Sequence, residues 1–363
     1  MTKEPLIRMT KRDGISPWKA LVIRLGAVIL SLLVCALVIV IITGQNPIEV
    51  YEGIIDGAIG TERRIWVTIR ETMTLLLIAI GLAPVFKMRF WNIGAEGQVL
   101  VGGLAAAALM LYIGDAIPSW LLVILILIAS CIAGLIWGLI PAVFKAKYNT
   151  NETLFTLMLN YVAMQLVLIC IAFWEHPIGS NTVGIIGGDT QSGWFPEIFG
   201  QQQTLTVIIT LLLTVGMYLY LRYSKQGYEI AVVGESEDTA KYSGMNVKKI
   251  ILRTVMISGA ICGLAGAVIV SGSSHTISTS TAGGRGFTAI IVAWMSKFNP
   301  FFMIIVSAFL VFMQQGSVQI ASQFGLNKNA SDIITGIILF FLIGCEFFIQ
   351  YKLKRNRAGK GEE

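Results

Sequence analysis

Two short motifs hold the residue types that could do chemistry in this chain. Gly94-Ala95-Glu96-Gly97 and Gly283-Gly284-Arg285-Gly286 each set one ionisable side chain among glycines at the head of an apolar run. An ionisable residue at the end of an apolar span is a functional position by default. The chemistry here is passage of a polar solute rather than bond breaking. An enzyme would need paired carboxylates, a His cluster or a nucleophile with its base, and the sequence offers none. His176 and His275 are the two histidines, too few for a His-based metal cluster. Cys35, Cys131, Cys170, Cys262 and Cys345 all fall in apolar runs without a CxxC pair. No GxxxxGK[ST] loop is present to hold ATP. Glu96 keeps two readings: a charge on a solute path, or a capping and packing device. Asn92 can cap, which places Glu96 in a first helical turn where exposed N–H groups favour a carboxylate.

The elements that carry these motifs follow from composition. Of 363 residues, 55% are hydrophobic and only 13% charged, against roughly 25% charged in an average soluble protein. Mean hydropathy is +0.74. The fold class is therefore all-α, a polytopic membrane protein. The net charge of +6 does not indicate nucleic acid, because the basic residues sit in short loops and tails between apolar runs. About ten transmembrane helices are expected, over 25–43, 65–86, 91–112, 119–144, 153–174, 204–221, 254–271, 286–296, 300–321 and 332–351. With that count, 22 of the 27 Lys and Arg lie on one side, taken as the cytoplasm, together with both termini. The chain then divides into a cytoplasmic tail over 1–24, a membrane domain over 25–351 and a cytoplasmic tail over 352–363. Asn299-Pro300 and Asn151-Glu152 read as helix starts, and Pro84 and Pro141 as kinks or ends. Gly134-x-x-x-Gly138 and Gly259-x-x-x-Gly263 read as close-packing faces.

The two motifs lie five spans apart and enter from opposite sides. An inverted repeat of five plus five spans is the expectation, with short or broken helices near 91–98 and 283–296. The hydroxyl-rich stretch 271–281 is either the lining of a wet path or a plain outer loop. The outer loop 175–203 has six glycines and no Lys or Arg; it is a cap or a mobile surface loop. In the inner segment 222–253, Ser236 is placed to cap a short helix over 237–243 that Gly244 would stop. That helix is either a solvated connector or a surface that takes force from a partner.

Phe90-Trp91-Asn92-Ile93-Gly94-Ala95-Glu96-Gly97-Gln98 resembles the permease subunits of bacterial ABC importers of the nucleoside and simple-sugar type, related to the ribose and branched-chain amino acid permeases. Asn151 to Leu154, Met158 to Tyr161, Gly234 to Val247, Ser258 to Ala267 and Gly284 to Ile290 resemble further motifs of that family. One departure is that Glu235 and Thr239-Ala240 stand where the family usually has Gly-x-Asn and paired alanines. The resemblance implies a permease domain, in a bacterial plasma (inner) membrane, that moves nucleosides or related sugars by alternating access. It implies no cofactor on this chain, with ATP and Mg held by a cytoplasmic ABC ATPase. The other implied partners are a homologous second permease chain, an extracellular substrate-binding lipoprotein and membrane lipid. It assigns ATPase coupling to Gly234, Glu235, Asp238, Tyr242 and Gly244, and the translocation pathway to Asn92, Glu96, Gln98, Asn160, Arg285 and Phe287. The alternative is a stand-alone secondary transporter for a small polar solute, whose ion site would draw on Glu71, Glu96 or Glu346.

Overall fold

The computed structural model describes residues 7–355 apart from 13, 14, 45, 199, 326 and 327. The ends of both tails, 1–6 and 356–363, lie outside the described residues, as do the side chains of Lys328 and Glu346. In chain order the elements are β1 (Ile7–Lys11), α1 (Pro17–Thr43), α2 (Pro47–Ile59), α3 (Glu62–Lys87), α4 (Ala95–Ile113), α5 (Ser119–Tyr148), α6 (Glu152–Trp174), α7 (Thr204–Tyr223), α8 (Lys225–Glu235), α9 (Glu237–Tyr242), α10 (Val247–Ile269), α11 (Arg285–Met295), α12 (Pro300–Gln323), α13 (Lys328–Gln350) and β2 (Tyr351–Arg355). A π-helical turn, Val270–Ser274, extends α10. Eight described helices are long and apolar enough to cross a membrane. The remaining two of the ten expected spans fall on α11, which is short, and on α13, which has 23 residues. At 11 residues, α11 is about 16 Å long, roughly half a bilayer core.

Helix starts follow the local sequence. Asn151 accepts the Leu154 N–H at 3.1 Å and Asn299 accepts that of Phe301 at 3.1 Å. Pro84 and Pro141 do not end their helices; α3 and α5 run on through them. Two helices were not expected. α2 and α8 are short and carry several charged residues, so neither reads as a span.

The chain packs as two compact units, one of 1–65 with 310–363 and one of 66–309. In the first, α1 packs on α13 and the Tyr51 hydroxyl donates to the Leu32 carbonyl. The strands β1 and β2 pair antiparallel, Ile7 with Arg355 through Lys11 with Tyr351. The tails therefore form a small ribbon, which sequence reading did not anticipate. It also places the start of α1 and the end of α13 on one side.

In the second unit, α10 lies against both α4 and α5. Glycine makes that contact possible: a Cβ on Gly263 would collide with the Ser130 carbonyl and the Gly134 backbone. The Ser130 hydroxyl donates to the Gly102 carbonyl at 2.8 Å, tying α5 to α4. The loop that follows α6 is docked on the turn that ends α10. Its Ile186 N–H donates to the His275 carbonyl and its Phe195 N–H to the Ser271 carbonyl, at 2.8 and 3.0 Å. Its Val183, Ile186 and Phe195 side chains are buried. The element order repeats along the chain: a long helix (α3, α10), an irregular break that ends in glycine, then three helices (α4 to α6, α11 to α13).

Candidate functional site

The break before α4 spans residues 88–94, and its backbone polar groups are met by side chains. Asn92 does not cap α4, which begins at Ala95 behind Gly94. Instead its Oδ1 accepts the Gly94 N–H at 3.0 Å inside the turn, and its Nδ2 donates to Gln98 Oε1 at 3.4 Å. From α6, Asn160 Oδ1 accepts the Gly97 N–H at 2.8 Å and Asn160 Nδ2 donates to the Ile93 carbonyl at 2.9 Å. One turn earlier, Thr156 Oγ1 accepts the Ile93 N–H at 3.1 Å. Asn92, Gln98 and Asn160 are all buried. Their amides complete a broken helix start, which would otherwise leave buried donors and acceptors unmatched.

Glu96 lies in the first turn of α4, yet its carboxylate caps a different helix. Oε1 accepts the Gly284 N–H at 2.7 Å and Oε2 accepts the Gly286 N–H at 2.8 Å. The N-terminus of α11 thus ends on a buried carboxylate. A negative group is favoured there by the exposed N–H donors and the helix dipole, by up to about 2 kcal/mol when partly buried. The fit needs glycine on both counts. Gly284 has φ +76, and a Cβ on Gly286 would strike the Glu96 backbone. The two ionisable motifs read separately from the sequence are therefore one site.

Arg285 extends the site outward. Its Nε and Nη2 donate to Glu71 Oε2 on α3 at 3.1 and 2.5 Å. Arg70 Nη2 donates to Glu71 Oε1 at 2.9 Å. Two arginines and two glutamates balance, as an ionised cluster in an apolar setting requires. Arg70 was missed as a member, and Glu71 was named only for the ion site of the alternative. Their signal was available in an Arg-Glu pair inside an apolar span, but only the fold shows which residue answers it. Phe287 is 44% exposed and has no polar group to add to the cluster. The hydroxyls of 271–281 also serve the backbone. Ser273 and Ser274 donate to the Ile269 carbonyl at 2.9 and 3.1 Å, and Thr281 Oγ1 accepts the Ser278 N–H at 2.8 Å.

Aromatic rings join the break to the end of α11. Trp91 stacks on Trp294 with centroids 5.3 Å apart, and Phe86 meets both edge-on. The inner segment forms a helical corner. Ser224 accepts the Gly227 N–H at 2.9 Å and opens α8; Ser236 accepts the Thr239 N–H at 3.2 Å and opens α9. Gly244, at φ +77, stops α9 with Met245 N–H returned to the Ala240 carbonyl at 3.0 Å. Glu235, Asp238 and Tyr242 are exposed, Tyr242 at 94%. Gly234 is buried, and a Cβ there would collide with the Lys87 carbonyl and the Met88 backbone. An Arg253–Glu229 pair at 2.9 Å ties α8 to α10.

A sequence model of the family described as branched-chain amino acid transport system / permease component matches residues 65–343. The chain is 29% identical to a guanosine ABC transporter permease protein of Bacillus subtilis, over 93% of this chain and 98% of that one. It is 27% identical to a nucleoside ABC transporter permease protein of Lactococcus lactis, over 90% and 91%. To a glucose ABC transporter permease protein of Haloferax volcanii it is 24% identical, over 85% and 83%. No solved structure matches it.

Proposed function

The chain belongs to the permease-component family of branched-chain amino acid transport systems, and from that premise we propose that it forms the solute path of an ATP-driven importer for nucleosides or related sugars. It sits in a bacterial plasma membrane with both termini cytoplasmic, the side that the charge bias favours. A separate ABC ATPase binds and hydrolyses ATP with Mg. A second, homologous permease chain completes the path, lipid surrounds both, and an extracellular binding lipoprotein delivers the solute. This chain supplies alternating access and no bond chemistry of its own.

One observation carries the reading. The end of α8 rests at Gly234 on the Lys87–Met88 backbone, the same short segment that leads to Glu96 and its hold on α11. An exposed corner on the inner face is thereby in backbone contact with the lead-in to a broken helix inside the membrane. The ATPase would dock on α9 through Glu235, Asp238 and Tyr242, with Gly234 as the fulcrum and Gly244 fixing the corner. Asn92, Gln98 and Asn160 would keep the α4 start rigid, while Glu96 and Arg285 form the part that opens. Phe287, exposed on α11, would face the path. The secondary-transporter alternative lacks support in the acids. Glu71 is held by two arginines and Glu96 by two N–H groups, and the Glu346 side chain lies outside the described residues.

The test is to shorten 236–243 and measure uptake and ATP hydrolysis together in the reconstituted complex. The expected result is a folded complex that hydrolyses ATP without importing solute. Coupled uptake at the wild-type level would contradict the docking role.

A further inference from the structure

On the outer face, a cavity of about 300 Å³ opens between the start of α5 and the docked loop. That is the lower end of the size range of small-molecule sites. Two indoles line it, Trp120 and Trp194, along with the side chains of Thr190, Gln191, Glu197 and Gln202. Its rim is fixed. The Gly193 N–H donates to Ser119 Oγ at 3.4 Å, Thr190 Oγ1 donates to Asp115 Oδ1 at 3.3 Å, and Trp194 Nε1 donates to the Ile186 carbonyl at 2.8 Å. The Trp194 ring also stacks on His275, with centroids 3.7 Å apart and planes 13° from parallel. His275 stands at the head of the irregular segment that leads to Arg285. The cavity therefore shares a wall with the chain segment that reaches the Glu96 site.

We propose that this cavity is an outer staging subsite for a neutral, base-bearing solute, a nucleoside rather than a free sugar or a nucleotide; the proposal rests on the importer reading above. Indole faces suit the flat face of a base, whichever base it is. Side-chain amides and a hydroxyl supply both donors and acceptors for base edges and ribose hydroxyls. A free sugar offers only the C–H face of its ring, a smaller and non-aromatic surface for that contact. A phosphate is disfavoured: among the described lining residues there is no Lys or Arg, and Glu197 adds a negative charge. The same absence of cations argues against an anionic lipid headgroup as the occupant.

The experiment uses the complete transporter, this chain with its partner permease and ATPase, in nanodiscs without the binding lipoprotein. Equilibrium binding of labelled guanosine is measured against ribose, guanosine monophosphate and increasing phosphatidylglycerol. Saturable guanosine binding is expected that neither ribose nor the monophosphate displaces. Trp120→Leu, which keeps an apolar side chain at an exposed position, should weaken it about tenfold. Glu197→Lys, also exposed, should let the monophosphate compete. No saturable binding, equal displacement by ribose, displacement by phosphatidylglycerol, or wild-type affinity and selectivity in both variants each overturns the subsite. ATP-dependent uptake by the same wild-type complex in proteoliposomes, with the binding lipoprotein added, separates the two claims. If uptake is present, such a result removes the subsite and leaves the importer reading standing; if uptake is absent, the importer reading falls as well.

Discussion

The starts of α4 and α11 pose the same problem and solve it differently. Both are glycine-rich helix beginnings inside an apolar protein, with N–H donors that need acceptors. At α4 the acceptors are neutral: Asn92, Asn160 and Thr156, each on a short fixed side chain. At α11 the acceptor is the Glu96 carboxylate, one of four charges balanced through Arg285, Glu71 and Arg70. Neutral caps can hold a start permanently at little electrostatic risk. A charged cap holds only while all its partners are present, and breaking a buried pair by removing one partner costs several kcal/mol. On the proposed reading, the first start stays rigid and the second moves.

Glu71→Ala should break the comparison most severely, because it strands Arg285 and Arg70 together. A loss of about 3–5 kcal/mol is expected, read as a large drop in the unfolding midpoint of the purified chain in detergent. Glu96→Gln comes next, leaving one acceptor for two N–H groups. It should lose about 1.5–3 kcal/mol and reduce uptake by more than its expression falls. Asn160→Ala, at the neutral start, is expected to cost about 1–3 kcal/mol while uptake per folded molecule stays near wild type. Uptake lost equally in Glu96→Gln and Asn160→Ala would erase the distinction. Tyr242→Ala should leave stability within about 0.5 kcal/mol and lower only ATP-coupled uptake.

The smallest effect expected is a pH dependence at the wall beside Trp194. Burial, and then the charge of Arg70, hold the His275 imidazole below its ordinary value of 6.5. The folded chain therefore favours the neutral ring more than the unfolded chain does. Stability from this region is complete above about pH 6.5 and is lost as the pH falls through the lowered value. The melting temperature should drop modestly between about pH 7.5 and pH 5.5, and less so in His275→Gln. Equal drops in both would remove His275 as the cause.

Much of this was legible in the residues. Apolar runs and charge bias located the spans, and Ser236 with Gly244 marked α9 to within one residue. The glycine faces of α5 and α10 stood in the sequence because close packing leaves few alternatives to glycine. What stayed hidden was partnership across long separations. Glu96 looked like a cap for its own helix, because the dipole argument is local; its true partner is nearly 190 residues away. Asn92 was placed as a cap on spacing alone, whereas the chain turns two residues before the helix begins. The ribbon of β1 and β2 joins segments whose charge marks them as tails, and no periodicity in five residues announces such a pairing.

The account turns on whether this chain moves solute only when driven by another subunit's ATP hydrolysis. Labelled guanosine uptake into proteoliposomes tests that directly, comparing this chain alone under an imposed ion gradient with the full complex supplied with ATP. The account predicts accumulation only by the complex and only with ATP. Accumulation by the chain alone, driven by the gradient, would contradict it.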